Sequence, residues 1–363
     1  MNAKIVLTGG GSAGHVTPNL AMIENLEEEG WQIDYIGSAD GVEKQIIGKT
    51  RVPFHPIQSG KLRRYFSWQN FLDPFKIVYG LIQSFWLLRR LNTDLVFSKG
   101  GFVAFPVVVA AWLNRIPVVA HESDMSPGLA NRLCLPFVNK LCVTFAPAKN
   151  HVKRQDKVAI TGTPIRRQLF NGSRQRGLAL CGFNDKQAIL LVIGGSLGAQ
   201  AINQAVREAL PRLSHNYQII HLCGKGKVDE SLQTAPGYFQ LEYASDELAD
   251  LFAAADVVVS RAGANALYEI LALQKPHVLI PLSAKVSRGD QIQNAGYFKE
   301  QGISIVIPQE ELTTDRLLMA IDEAEANQQD IIRRIKSLKI ESATVKIMNL
   351  IKEQLHVESP ETV

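Results

Sequence analysis

Two stretches decide the fold: KIVLTGGGSAGH at residues 4–15 and ILLVIGGSLG at residues 189–198. Each is a short apolar run that breaks into Gly-Gly-Ser-x-Gly, at 10–14 and at 194–198. An apolar strand, a glycine turn and a following amphipathic stretch make a strand–loop–helix unit whose loop amides and helix N-terminus can hold an anion. The offset of 184 residues is about half of a 363-residue chain. The repeat predicts two similar α/β units, each presenting one such loop, that face each other across a cleft.

Working outward, strand-like runs alternate with helical ones along the whole sequence. In the first half they are Ile5–Thr8, Ile33–Gly37, Leu95–Ser98, Pro117–His121, Leu141–Thr144 and Ala159–Thr161, with a helix over about 18–29. In the second half they are Ile189–Ile193, Gln218–Leu222, Val257–Ser260, His277–Ile280 and Ser304–Ile307. Alternation of this kind predicts parallel sheets covered on both faces, hence an α/β class. Thr161-Gly162-Thr163-Pro164 marks a turn and a boundary between domains 1–163 and 164–341. A tail helix over about 342–355, with Val345, Ile347, Leu350 and Ile351 on one side, can pack on either domain.

Composition narrows the classes. Hydrophobic residues are 46% and charged residues 20%, enough for packed cores and too little charge for disorder. The four cysteines (Cys134, Cys142, Cys181, Cys223) form no CxxC pair and no metal-ligand spacing, which suits a reducing compartment. No basic-then-apolar leader precedes Lys4, so secretion is not expected. The uncharged run Gly100–Asn114 is 15 residues, short of the roughly 20 that span a bilayer. Net charge is +4, too small and too local for a nucleic-acid partner. Eight of the basic residues, against two acids, lie in 51–99, and such a patch suits an anionic surface met at one place.

Several residue groups could carry chemistry. The two glycine loops either cradle a diphosphate or only make tight turns. Gly9, Gly11 and Gly14 also match the dinucleotide spacing, with Asp34 as the acid about 20 residues on, although Asp34 sits inside its strand. His15 follows the last glycine, where it caps the loop or serves as a general base near neutral pH. Glu269 lies one to two turns into a helix that follows Val257–Ser260, either as a carboxylate for two sugar hydroxyls or as an ordinary helix acid. Gln291 stands after a polar loop, ready for a polar ligand. The stretch 61–91 is basic and aromatic, and contains Arg63, Arg64, Phe66, Trp68, Phe75, Leu81, Phe85, Trp86, Arg89 and Arg90. A helix there with so broad an apolar face either covers the sheet or lies on an anionic membrane surface, and the basic and aromatic flanks favour the membrane.

Five motifs in order carry a resemblance: GGSAGHVTP (10–18), SKGGFV (98–103), HESD (121–124), GGSLGA (194–199) and SRAGANALYE (260–269). Together they are similar to the MurG family, which moves N-acetylglucosamine (GlcNAc) from UDP-GlcNAc to lipid I, giving lipid II for peptidoglycan. The resemblance covers essentially the whole chain and implies a GT-B architecture, two Rossmann-like domains with the tail helix returning to the first. It implies that Gly195 and Ser196 meet the donor diphosphate with Arg166 nearby, and that Ala244 and Ser245 border the uracil. Ala264, Asn265, Ala266 and Leu267 would line the nucleotide, with Glu269 on the ribose and Gln291 on the GlcNAc hydroxyls. Ser12, Ala13 and Gly14 would also border the donor. Gly11, Gly14, His15, Gly100, Gly101 and His121 would face the acceptor diphosphate. Two pairs of residues depart from the family: Ser12-Ala13 replace a Thr-Gly pair, and Ser123-Asp124 replace Gln-Asn. Asp124 is kept as a donor-site residue, though a carboxylate cannot donate as the amide would.

The expected reaction is an inverting single displacement with His15 as general base. No DxD-type carboxylate pair stands where a metal would sit, so no cofactor or essential metal is expected. The expected partners are UDP-GlcNAc, lipid I, the anionic inner leaflet and other wall-synthesis proteins, with the chain peripheral on the cytoplasmic face of the membrane. The rival readings are a nicotinamide-dependent oxidoreductase, a UDP-GlcNAc 2-epimerase of related fold and a non-catalytic membrane-associated scaffold.

Overall fold

The computed structural model describes residues 3–60, 69–195, 198–338, 340 and 343–355. The chain divides into two compact units at Arg166–Arg167; the first also takes in the tail beyond Ile340.

The first unit runs β1 (Lys4–Thr8), α1 (Thr17–Glu28), β2 (Gln32–Ser38), α2 (Val42–Ile47), β3 (Phe54–Ile57), α3 (Gln69–Arg90), β4 (Leu95–Ser98), α4 (Ala104–Leu113), β5 (Val118–Glu122), α5 (Leu129–Cys134), β6 (Lys140–Val143) and β7 (Val158–Ile160). The sheet order is β3-β2-β1-β4-β5-β6-β7, with every pairing parallel. Its central strands are apolar without alternation because both faces are covered. Val6, Val96 and Val118 join one core with α3, α4 and α5, whereas Leu7, Phe97 and Val119 join another with α1.

The second unit runs α6 (Arg174–Cys181), β8 (Ala188–Ile193), α7 (Gln200–Leu213), β9 (Tyr217–Leu222), β10 (Tyr238–Leu241), α8 (Leu248–Ala254), β11 (Val257–Ser260), α9 (Ala264–Ala272), β12 (His277–Leu279), α10 (Asp290–Glu300), β13 (Ile305–Val306), α11 (Thr314–Ala326) and α12 (Gln328–Ser337). The sheet order β10-β9-β8-β11-β12-β13, again all parallel, repeats the topology of the first unit less one strand. The tail helix α13 (Ala343–Gln354) returns to the first unit. There Ile347, Met348 and Ile351 enter the core with Ile5, Leu26 and Trp31, and Lys352 Nζ donates to Glu29 Oε1 at 2.9 Å.

In each sheet the strand order reverses between two neighbours, β1 and β4 in the first and β8 and β11 in the second. The C-terminal ends of these strands are where a parallel sheet opens a crevice for a ligand.

Candidate functional site

At the switch point of the first unit, the loop after β1 is locked to the loop after β4. Gly10 N–H donates to the Gly100 carbonyl at 3.2 Å. Gly11, Gly100 and Gly101 have φ of +84°, +86° and +88° between them, the left-handed region that favours glycine. A Cβ on Gly101 would stand 2.1 Å from the Gly10 carbonyl oxygen, so the two loops meet only because that side chain is missing. The root of the first loop is pinned by Tyr35, whose hydroxyl donates to the Gly9 carbonyl at 2.6 Å and accepts from Asn19 Nδ2 at 3.1 Å. Burial pushes the Tyr35 phenol well above its ordinary range. Gly11, Ser12 and Gly14 are exposed and Ala13 and His15 half-buried, the last two in a single 3-10 turn (Ala13–His15) before α1.

At the end of β5 the picture departs from expectation. His121 is fully buried and its Nε2–H donates to the Gly162 carbonyl at 2.8 Å. Burial and the nearby Lys99 charge hold its pKa well below the ordinary value, so the ring is neutral and Nδ1 is a bare acceptor. A neutral imidazole so arranged has no proton left for a phosphate, which removes His121 from the acceptor-diphosphate contacts. Asp124 offers its amide to Glu122 Oε1 at 3.0 Å and is half-buried.

In the second unit a pocket of about 90 Å³ opens at the switch point between β8 and β11. Its lining includes Gly195, Glu242, Tyr243, Ala244, Ala266 and Glu269. Gly195 has φ +90° and accepts from the Gly198 amide at 2.8 Å, closing the turn. Ser196, the expected diphosphate ligand, lies outside the described residues. Gly263 precedes α9 in extended conformation, and a Cβ built there would meet nothing within 4 Å, so the helix N-terminus faces open space. Ala264 is buried and Asn265 half-buried in that first turn, and Ser245 is exposed beside Ala244. Leu267 is corrected: its side chain is fully buried and its amide bonds to the Gly263 carbonyl at 2.9 Å, leaving nothing for a nucleotide. Gln291 Oε1 accepts from the Leu282 amide at 3.0 Å, so it also fixes the loop before α10. Arg166, half-buried, is the last residue of the first unit rather than part of the second.

Tyr243, Lys99 and Glu43 stand at or beside these loops and this pocket, and the sequence reading passed over them. Tyr243 is 62% exposed at the mouth of the pocket. Its signal was an aromatic directly before Ala244. Lys99 lies inside the motif read only for its glycines, and Glu43 sits two residues after Gly41 in the first turn of α2.

On α3 the outward side chains are apolar: Phe75 (75% exposed), Val78, Tyr79, Ile82 and Trp86 (62%). Arg89 and Arg90 end the helix, with the Arg89 guanidinium 4.8 Å from the Phe85 ring centre. Leu81 and Phe85 are half-buried, and Phe85 packs against the core beneath. The neighbouring α4 and α5 add exposed Trp112, Leu113, Leu129 and Leu133. Arg63, Arg64, Phe66 and Trp68 lie outside the described residues. Among the described residues no helix is long and apolar enough to cross a membrane, and no group of three or more His, Cys, Asp or Glu is set to hold a metal ion.

Residues 5–143 match the glycosyltransferase family 28 N-terminal domain and residues 189–352 its C-terminal domain. The chain belongs to glycosyltransferase family 28. It is 62% identical, over the full length of both chains, to the UDP-N-acetylglucosamine--N-acetylmuramyl-(pentapeptide) pyrophosphoryl-undecaprenol N-acetylglucosamine transferase of Legionella pneumophila strain Paris. The Lachnoclostridium phytofermentans protein of the same name is 53% identical over 96% of this chain and 98% of its own. Among solved structures, Acinetobacter baumannii MurG superposes with a TM-score of 0.74 at 24% identity, over 97% of this chain and 100% of that one. The fold is GT-B, two Rossmann-like parallel-sheet domains, and the chain is a glycosyltransferase of the MurG kind. The nicotinamide reading also loses its acid, because Asp34 pairs with His55 Nε2 at 2.6 Å in mid-strand.

Proposed function

We propose that the protein moves GlcNAc from UDP-GlcNAc to the C4 hydroxyl of the N-acetylmuramoyl sugar in lipid I, forming lipid II for peptidoglycan. The observation that carries this reading is the 62% identity, end to end, to a transferase named for that donor and acceptor. The open glycine turn at Gly195 and the space beside Gly263 at the N-terminus of α9 support donor binding in the second unit.

The step is a single displacement with inversion. The acceptor oxygen attacks the anomeric carbon, the bond from that carbon to the diphosphate oxygen breaks, and the acceptor proton passes to His15. Loop amides, the α9 terminus and Arg166 stabilise the departing UDP, and no metal is required. Glu269 and Tyr243 border the nucleoside, the carboxylate accepting from hydroxyls and the ring offering a flat face. The glycine-clamped loops of the first unit receive the acceptor diphosphate. The apolar, arginine-tipped face of α3 supports docking on an anionic inner leaflet, where the lipid acceptor is anchored.

Incubation with labelled UDP-GlcNAc and lipid I tests the reading. A labelled disaccharide lipid is the expected product, and release of free GlcNAc alone would overturn it.

A further inference from the structure

Lys99 follows β4 directly, at the switch point of the first unit, and is 1% exposed. Its ammonium donates to Ser123 Oγ at 2.6 Å, and that neutral hydroxyl is its hydrogen-bond partner among the described residues. Glu122 and Asp124 attract it through space without bonding to it, and Glu122 is committed elsewhere. Glu122 accepts from the Asp124 amide and the Gly128 amide, each at 3.0 Å, and from Asn131 Nδ2 at 2.8 Å. A buried ammonium with one neutral partner is expensive to keep, since neither water nor a bonded carboxylate replaces its hydration.

The backbone and Cβ of Lys99 pack against the glycine loops. A Cβ on Gly9 would stand 3.0 Å from Lys99 Cβ, the Lys99 amide donates to the Thr8 carbonyl at 2.8 Å, and Gly100 next to it clamps Gly10. The side chain thus runs from the loops to Ser123 and holds a buried positive charge within one side-chain length of the place where the loops would meet an anion. Ser123, which belongs to one of the two pairs departing from the family pattern, is its hydrogen-bond partner.

We propose that Lys99 is a positioning residue that sets the first unit's affinity for the acceptor's diphosphate, acting by its charge through the glycine loops rather than by contact. The inference rests on the transferase reading above. It excludes the donor's diphosphate as the main beneficiary, since that group belongs to the second unit.

Steady-state transfer to a soluble lipid I analogue tests it, with each substrate varied in turn, in wild type, K99M, K99Q and K99R; thermal unfolding is run alongside. The expected result is a folded K99M, no less stable than wild type, whose acceptor KM rises about tenfold while the UDP-GlcNAc KM stays within twofold. K99R restores part of the loss, and inorganic pyrophosphate competes with acceptor less well in K99M. K99Q, which keeps a polar end, replaces K99M if the latter aggregates. An acceptor KM within twofold of wild type in a folded neutral variant, or an equal rise in both KM values, overturns the proposal. Absence of transfer by the wild type defeats the transferase reading instead, and pyrophosphate binding to wild type and K99M then decides Lys99 alone.

Discussion

The Glu43 carboxylate accepts a hydrogen bond from the Gly11 amide at 3.1 Å, so one amide of the first glycine loop already serves a buried side chain. The same carboxylate accepts from the Ser38 amide at 3.0 Å and from the Ser38 hydroxyl. A Cβ on Gly10 or Gly41 would lie 2.4 Å or 2.2 Å from it. These glycines are therefore needed partly to seat Glu43, and Glu43 in turn sets the shape in which the loop meets a substrate.

The substitution E43Q keeps the volume but puts an amide, half of it donor, against groups that donate. It is expected to lower the unfolding free energy by about 1–3 kcal/mol, the cost of leaving a buried donor without an acceptor. The acceptor KM should rise more than the donor KM. Urea unfolding with kinetics on both substrates checks this. Wild-type stability in E43Q would show that the carboxylate does not hold the loop.

Glu269 lines the pocket at the switch point of the second unit from the second turn of α9 and is half-buried. A carboxylate accepting from hydroxyls makes charge-assisted bonds worth about 1.5–3 kcal/mol, so E269A should raise the UDP-GlcNAc KM roughly tenfold to a hundredfold. Calorimetry with UDP alone separates this from any change at the acceptor. Unchanged UDP affinity would place the nucleoside elsewhere.

Much of this was legible in the sequence, and the exceptions have physical causes. The glycine loops and the central strands were readable because apolar runs and glycine turns are local signals. The tail's own pattern allowed either domain, and only the family resemblance implied its return to the first. Strands β3 and β10 were missed: both are four-residue edge strands, and Pro56 in β3 is tolerated only because an edge strand needs fewer ladder donors. The helix α3 spans Gln69–Arg90 and runs through Pro74, where a proline would be read as a break. At the site, residue type alone could not tell that His121 is turned to Gly162 or that Leu267 faces the core. Glu43 meets Gly11 from 32 residues away in sequence and Lys99 lies against Gly9 from 90 residues away, and no spacing rule links such pairs.

The exposed face of α3 makes a prediction that separates docking from chemistry. Phe75 and Trp86 stand outward and contribute little to the core, so the double substitution F75E/W86E should leave thermal stability within about 1 kcal/mol. Sedimentation with anionic vesicles should lose most of the bound protein, through lost apolar burial and through charge repulsion. Turnover on a soluble acceptor should persist. Equal vesicle binding by the variant would take this face out of membrane docking.

Lys99 gives a pH dependence whose sign can be worked out. Burial lowers its pKa from the ordinary 10.5 to about 8, with Glu122 and Asp124 partly opposing the shift; His121, held neutral, is the other titratable group nearby. Below pH 8 both folded and unfolded chains keep the proton, and the folded state bears the full cost of burying it. Between pH 8 and 10.5 only the unfolded chain keeps it, so unfolding takes up a proton and stability rises with pH. Relative to K99M, which has no such group, the wild type should gain about 3 kcal/mol across that window. Urea unfolding of both proteins from pH 7 to 10.5 measures the difference. If the two curves run parallel, the Lys99 pKa is not lowered by burial, and the cost assigned to burying its charge loses its basis.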